Sequence, residues 1–237
     1  MINVLVWNEN YHEQTEERVK AIYPNGMHNT IADFLRCDDI KVRTATIDDE
    51  NCGITPEILK ETDVIIWWGH MRHGRVPDEV AKMVQEEVLK GMGAIFLHSA
   101  HHSKPFKLLM GTSCNLSWRD DGELERVWVL DRNHPITEGL EGYFEIPKEE
   151  MYGEPFGIPE PDKLLMIGWY ENGEVFRSGC VYKRGQGNIF YFQPGHEQFP
   201  VFHQEEVQRV IRNAVRWAKP VYREEELVCP HAKIIER

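Results

Sequence analysis

Histidines and carboxylates gather at three places in this chain where they could move protons or hold a cation. The segments are Gly69-His70-Met71-Arg72-His73, His98-Ser99-Ala100-His101-His102-Ser103 and Gln193-Pro194-Gly195-His196-Glu197. Imidazole titrates near neutrality, so a pair of rings beside a carboxylate can act as general acid and base. Neutral imidazoles and carboxylates also bind divalent metals such as zinc, and about three protein ligands suffice where a position stays open for water. The residue types leave both chemistries open. His70, His98, His196 and Glu197 are the first candidates, with Glu150 and Glu154 of the EEMYGEPF loop as further carboxylates. A metal would fall to His70, His98 and His196. Gly69, Ser99, His101 and Gln193 are expected to line the same pocket, and Glu154 to reach substrate. There is no HExxH helix, and the sequence around Ser99 is not the GxSxG of a hydrolase elbow. His73, His102, His134 and His203 read as ordinary hydrogen-bonding residues. Trp7, Trp67, Trp68, Trp118 and Trp169 could stack on a sugar face; Trp68, next to Gly69, is the one expected at the pocket mouth, the others being core.

The elements that would position these groups alternate along the first half. Val4 to Trp7 reads as a strand, Gly26 to Leu35 as a helix with Met27, Ile31 and Phe34 at helical spacing, and Lys41 to Thr46 as a second strand. Asp63 to Trp68 and Ala94 to Leu97 are short, continuous apolar runs, the pattern of strands buried on both faces of a parallel sheet. Between them Pro77-Asp78-Glu79 opens a helix striped by Val80, Met83, Val84 and Val88. After Gly111, strands are expected at Val127 to Leu130, Leu164 to Tyr170, Val175 to Lys183 and Asn188 to Phe192. Turns at Glu171-Asn172-Gly173 and Arg184-Gly185-Gln186-Gly187 join the last three. A final helix from about Val201 to Ala218 stops before Pro220, leaving a loosely packed charged tail. The order implies one α/β domain over 1–237. Its sheet is open, mostly parallel and flavodoxin-like, with helices on both faces and an antiparallel extension in the second half. Ligands of such sheets bind at the carboxyl ends of the strands, where the three polar segments fall.

Composition narrows the partners. A formal net charge of -12 disfavours nucleic acid and anionic lipid. No stretch approaches the roughly 18 apolar residues of a spanning helix, and Met1 runs directly into the first strand without a basic signal-peptide region. The five scattered cysteines include no CxxC pair, so reduced thiols and a cytoplasmic location are expected.

The segments VIIWWGH, GAIFLHSAHHS, EIPKEEMYGEPF, FRSG and GNIFYFQPGHEQFP, in this order over nearly the whole chain, resemble the ThuA-like family of trehalose-utilisation proteins. That family is similar in fold to the class I glutamine amidotransferases. The resemblance implies that His98-Ser99-Ala100-His101 stands where an amidotransferase has its Cys-x-Gly-His elbow. It likewise sets Gln193 in the place of the catalytic histidine and Gly69 in that of the oxyanion-hole glycine. Without the thiol, glutamine hydrolysis is not expected. The resemblance implies a sugar ligand, trehalose or a keto-disaccharide derived from it, handled by His/Glu acid-base or metal-assisted chemistry. A non-catalytic sugar-binding or regulatory module is the alternative. A homo-oligomer, or a subunit associated with a sugar oxidoreductase, is the partner arrangement left open.

Overall fold

In the computed structural model, residues 1–235 are described; the last two positions of the expected 1–237 domain lie outside them. The elements run β1 (Ile2–Asn8), α1 (His12–Thr15), α2 (Glu17–Ile22), α3 (Met27–Leu35), β2 (Ile40–Thr46), α4 (Pro56–Glu61), β3 (Val64–Trp68), α5 (Asp78–Lys90), β4 (Gly93–Leu97) and α6 (Lys104–Met110). The second half continues with β5 (Ser117–Val129), β6 (Tyr143–Gly153), β7 (Lys163–Tyr170), β8 (Val175–Arg184), β9 (Gly187–Phe192) and α7 (Glu205–Ala218). All nine strands form one sheet in the order β2-β1-β3-β4-β9-β8-β7-β5-β6.

The strands β3 and β4 are buried at every residue, which is why they read as unbroken apolar runs rather than alternating ones. Val4, Val6, Ile66, Trp68, Ile95 and Leu97 pack under α3 and α7 on one face. Leu5, Trp7, Ile65, Trp67, Ala94 and Phe96 pack under α4, α5 and α6 on the other. Helices therefore cover both faces, as expected. The sheet is not mostly parallel, however: β2-β1-β3-β4-β9 pair in parallel and β9-β8-β7-β5-β6 antiparallel, four pairings of each kind. The excess of antiparallel structure comes from β6, which read as a loop, and from β5, which starts at Ser117 rather than Val127.

Smaller corrections have local causes. A 3-10 turn at Val201–His203 precedes α7, so the last helix starts at Glu205. The tail after Ala218 is tied down where Arg223 donates to the Thr62 carbonyl at 2.7 Å and pairs with Glu87. Among the described residues no helix is long and apolar enough to cross a membrane. The adjacency of β1, β3, β4 and β9 sets the turns after Asn8, Trp68, Leu97 and Phe192 side by side at one edge of the sheet.

Candidate functional site

His98, the first residue after β4, takes φ +52°, a left-handed conformation uncommon for a side-chain-bearing residue and characteristic of a sharp strand-to-helix elbow. Its ring is fully buried and stacked on Tyr152 at 4.8 Å between centroids. Nδ1 donates to the Gln193 carbonyl at 2.9 Å, and Nε2 meets Glu150 Oε2 at 2.9 Å. Burial opposes a charge on this ring, but the Glu150 hydrogen bond and the charges of Glu149, Glu150 and Glu197 outweigh it and push His98 up to about 9. Burial likewise opposes ionisation of Glu150, but His98 holds it below its ordinary value. With an acceptor at each nitrogen, His98 is an imidazolium at neutral pH.

A second pair has the opposite orientation. His70 Nδ1 lies 3.0 Å from Glu197 Oε1. Burial resists protonation of His70, yet the Glu197 hydrogen bond and charge raise it. The buried Glu197 is held below the usual carboxylate range, because the hydrogen bond and charge of His70 outweigh its desolvation. His196 packs between the two pairs, with ring centroids 5.7 Å from His70 and 5.3 Å from His98. Its Nδ1 accepts the Gln198 backbone N–H at 3.2 Å. A backbone amide can only donate, so the proton of the neutral ring sits on Nε2. That atom faces Asp120, Glu150 and Glu197 at 3.8 to 4.0 Å, and burial keeps the ring neutral, its pKa pulled down to about 4.

The cleft in front of these groups has a volume of about 550 Å³ and is lined by His70, Ser99, His101, Glu150, Tyr152 and Trp118, among others. That size suits a small-molecule ligand. One pair thus shows the cleft a carboxylate, Glu150, backed by His98. The other shows it an imidazole, His70, backed by Glu197. His98, His196 and Glu197 stand behind the cleft wall and act through these partners.

Buried carboxylates fix the loops that carry the pairs. Glu9, just after β1, accepts the backbone N–H groups of His70, Met71 and Arg72 at 2.7 to 2.9 Å. Glu149 accepts those of Glu150, Gly195 and His196 at 2.8 to 3.0 Å. Its burial lifts it to about 7, against the His98 charge and these same hydrogen bonds. Because β6 delivers both Glu149 and Glu150, the antiparallel end of the sheet curls back over the carboxyl edge of the parallel strands.

The sequence-predicted residues divide accordingly. His70, His98, His196, Glu197 and Glu150 come together, although Glu150 sits on a strand and not in a loop. Ser99 lines the cleft with its hydroxyl donated to the Gly69 carbonyl at 2.8 Å. His101 lines it with Nδ1 on the Cys114 carbonyl at 2.7 Å. Gln193 is fully buried behind the cleft. Glu154 is not part of the group: it is clamped by Arg177 at 2.8 and 2.9 Å. Trp68 is not at the mouth either. It is fully buried, with Nε1 donating to the Gly195 carbonyl at 3.0 Å, because the strand it ends is covered on both faces. The indole on the cleft wall is Trp118, 66% exposed. Sequence reasoning missed Glu9, His12, Glu149 and Tyr152. His12, opening the four-residue α1, brings Nδ1 to 3.3 Å from Glu197 Oε1.

The residue at the turn after β4 is His98, and the fold is similar to that of glutamine amidotransferases. An amidotransferase of Thermotoga maritima is similar to it with a TM-score of 0.54 at 12% identity, over 92% of this chain and 97% of that one. The chain belongs to the ThuA family, described as trehalose utilisation, which it matches over residues 3–218. It is also similar in fold to a putative ThuA-like protein of Bacteroides uniformis, with a TM-score of 0.66 at 17% identity over 92% of this chain and 91% of that one. A second such protein, from Parabacteroides merdae, gives 0.62 at 16% identity over 94% and 92%. No curated protein matches the sequence.

Proposed function

We propose that this protein is a carbohydrate-utilisation enzyme that binds trehalose or a keto-disaccharide derived from it in the Trp118 cleft and acts on it by His/Glu chemistry. The observation that carries this reading is the pair of oppositely oriented carboxylate–imidazole couples, Glu150–His98 and His70–Glu197, presented to one cleft of about 550 Å³. Glu150 is the proton-transferring group, held in place by His98. The facing His70–Glu197 couple polarises an oxygen of the sugar, and the exposed Trp118 indole offers a flat apolar surface for a pyranose ring. The family description supports the substrate class. The five free thiols suit a reducing cytoplasm.

The test is a panel of trehalose, its keto derivatives and unrelated disaccharides, followed by NMR for product and by calorimetry for binding. Turnover of a panel member that drops at least about a hundredfold in Glu150→Gln, as expected for loss of a general acid-base group, supports the enzyme. Binding without turnover would instead support a non-catalytic sugar-binding module.

A further inference from the structure

The couple His70–Glu197 has a third member that acid-base chemistry does not use. His12 is buried, and its Nδ1 has no hydrogen-bond partner among the described residues, although it points at Glu197 Oε1 from 3.3 Å. His70 Nδ1 is 3.0 Å from the same oxygen, and the three donor atoms lie within 4.8 Å of one another. A tetrahedral ion with bonds of about 2.0 to 2.1 Å has ligand–ligand edges of about 3.3 to 3.4 Å, close to the 3.3 and 3.0 Å that separate the two imidazoles from Glu197 Oε1. We propose that His12, His70 and Glu197 form a binding site for a divalent transition metal of the zinc type.

The surroundings are built to hold these donors. Glu9 fixes the His70 turn through three backbone N–H groups, and Arg72 of that turn lies over the Tyr11 ring at 3.8 Å, next to His12. The segments that carry the two imidazoles thus meet through this side-chain contact, and the His70 turn is held by Glu9, part of the preorganisation a metal centre needs. Glu16 lies 3.7 Å from His12 Nε2, beyond hydrogen-bond length but on the side of the ring where an outer carboxylate would stand. Of the three donors, His70 also borders the cleft.

The neighbouring group of His98, Glu150 and His196 is equally compact but is a poor metal site. The Gln198 amide occupies Nδ1 of His196, so Nε2 carries the proton and has no lone pair to give. The set expected from sequence, His70, His98 and His196, contains the same Nε2–H of His196.

The inference deepens the proposed function by assigning the polarising role to a cation, and its test does not depend on turnover. Chelator-treated protein is titrated with zinc by calorimetry, and with cobalt for the absorption bands of tetrahedral coordination. One equivalent is expected to bind, raising the unfolding temperature. His12→Gln, which preserves bulk, and Glu197→Gln should each weaken binding by on the order of a hundredfold, with folding checked by circular dichroism. His134→Ala, remote from the site, should bind as the wild type does. Failure of the wild type to bind, or undiminished binding in a folded His12→Gln protein, overturns the proposal. Sugar binding to the chelated protein is measured separately, so loss of the metal site and loss of the sugar site are told apart.

Discussion

Replacing His98 by Ala should cost folding stability as well as function. The side chain is fully buried and Glu150 is only 3% exposed, so truncating the imidazole strands a carboxylate without its 2.9 Å partner and leaves the Gln193 carbonyl unpaired. Breaking a buried pair from one side typically costs about 3–5 kcal/mol. Proton linkage gives the same size: lifting an imidazole from 6.5 to about 9 corresponds to about 3 kcal/mol, at roughly 1.4 kcal/mol per pH unit. The assay is urea unfolding at pH 7 of the chelated wild type, His98→Ala, Glu150→Ala and the double variant. Each single variant should lose at least about 3 kcal/mol, and the double variant less than their sum by about 3 kcal/mol. Additivity within about 0.5 kcal/mol would refute the pairing.

Three further outcomes follow from the same geometry. The His98 value is raised in the fold, so its contribution is whole below about pH 6.5 and is lost as pH rises through about 9; the melting temperature of chelated protein should fall between pH 7 and 10 by roughly 6–12 °C, and less in Glu150→Ala. Trp118→Ala should weaken sugar binding by about tenfold, the burial of a few apolar carbons, with stability changed by less than about 0.5 kcal/mol. Trp68→Phe should do the reverse, and equal effects of the two on binding would contradict the placement of the indoles. Thiol reagents should label only the exposed Cys37 and Cys229 in the native protein, since burial pushes Cys180 up to about 12 and also raises Cys52 and Cys114; stoichiometric labelling at Cys114 or Cys180, read by mass spectrometry, would count against the account.

The sequence was most legible where burial is uniform. Val64–Trp68 and Gly93–Leu97 announce themselves as apolar runs, and the polar turns that follow them locate the site. The same logic could have placed Trp68 inside, since it ends a strand covered on both faces. It failed for β6, whose Glu149 and Glu150 are buried by hydrogen bonding rather than by hydrophobicity. In β5 the expected alternation is broken by register shifts between Arg119 and Glu125. Glu9 and His12 gave no periodic signal, because their partners are backbone amides and residues more than sixty positions away. Their roles exist only once β1 and β3 are paired.

The central claim is that the Glu150–His98 couple works on a sugar in the Trp118 cleft. It is tested most directly by following trehalose and its keto derivatives by NMR with wild-type protein and with Glu150→Gln, whose fold is verified beforehand. The account predicts product from at least one of these sugars with the wild type and a loss of at least about a hundredfold in the variant. Turnover at the wild-type rate by folded Glu150→Gln would contradict it.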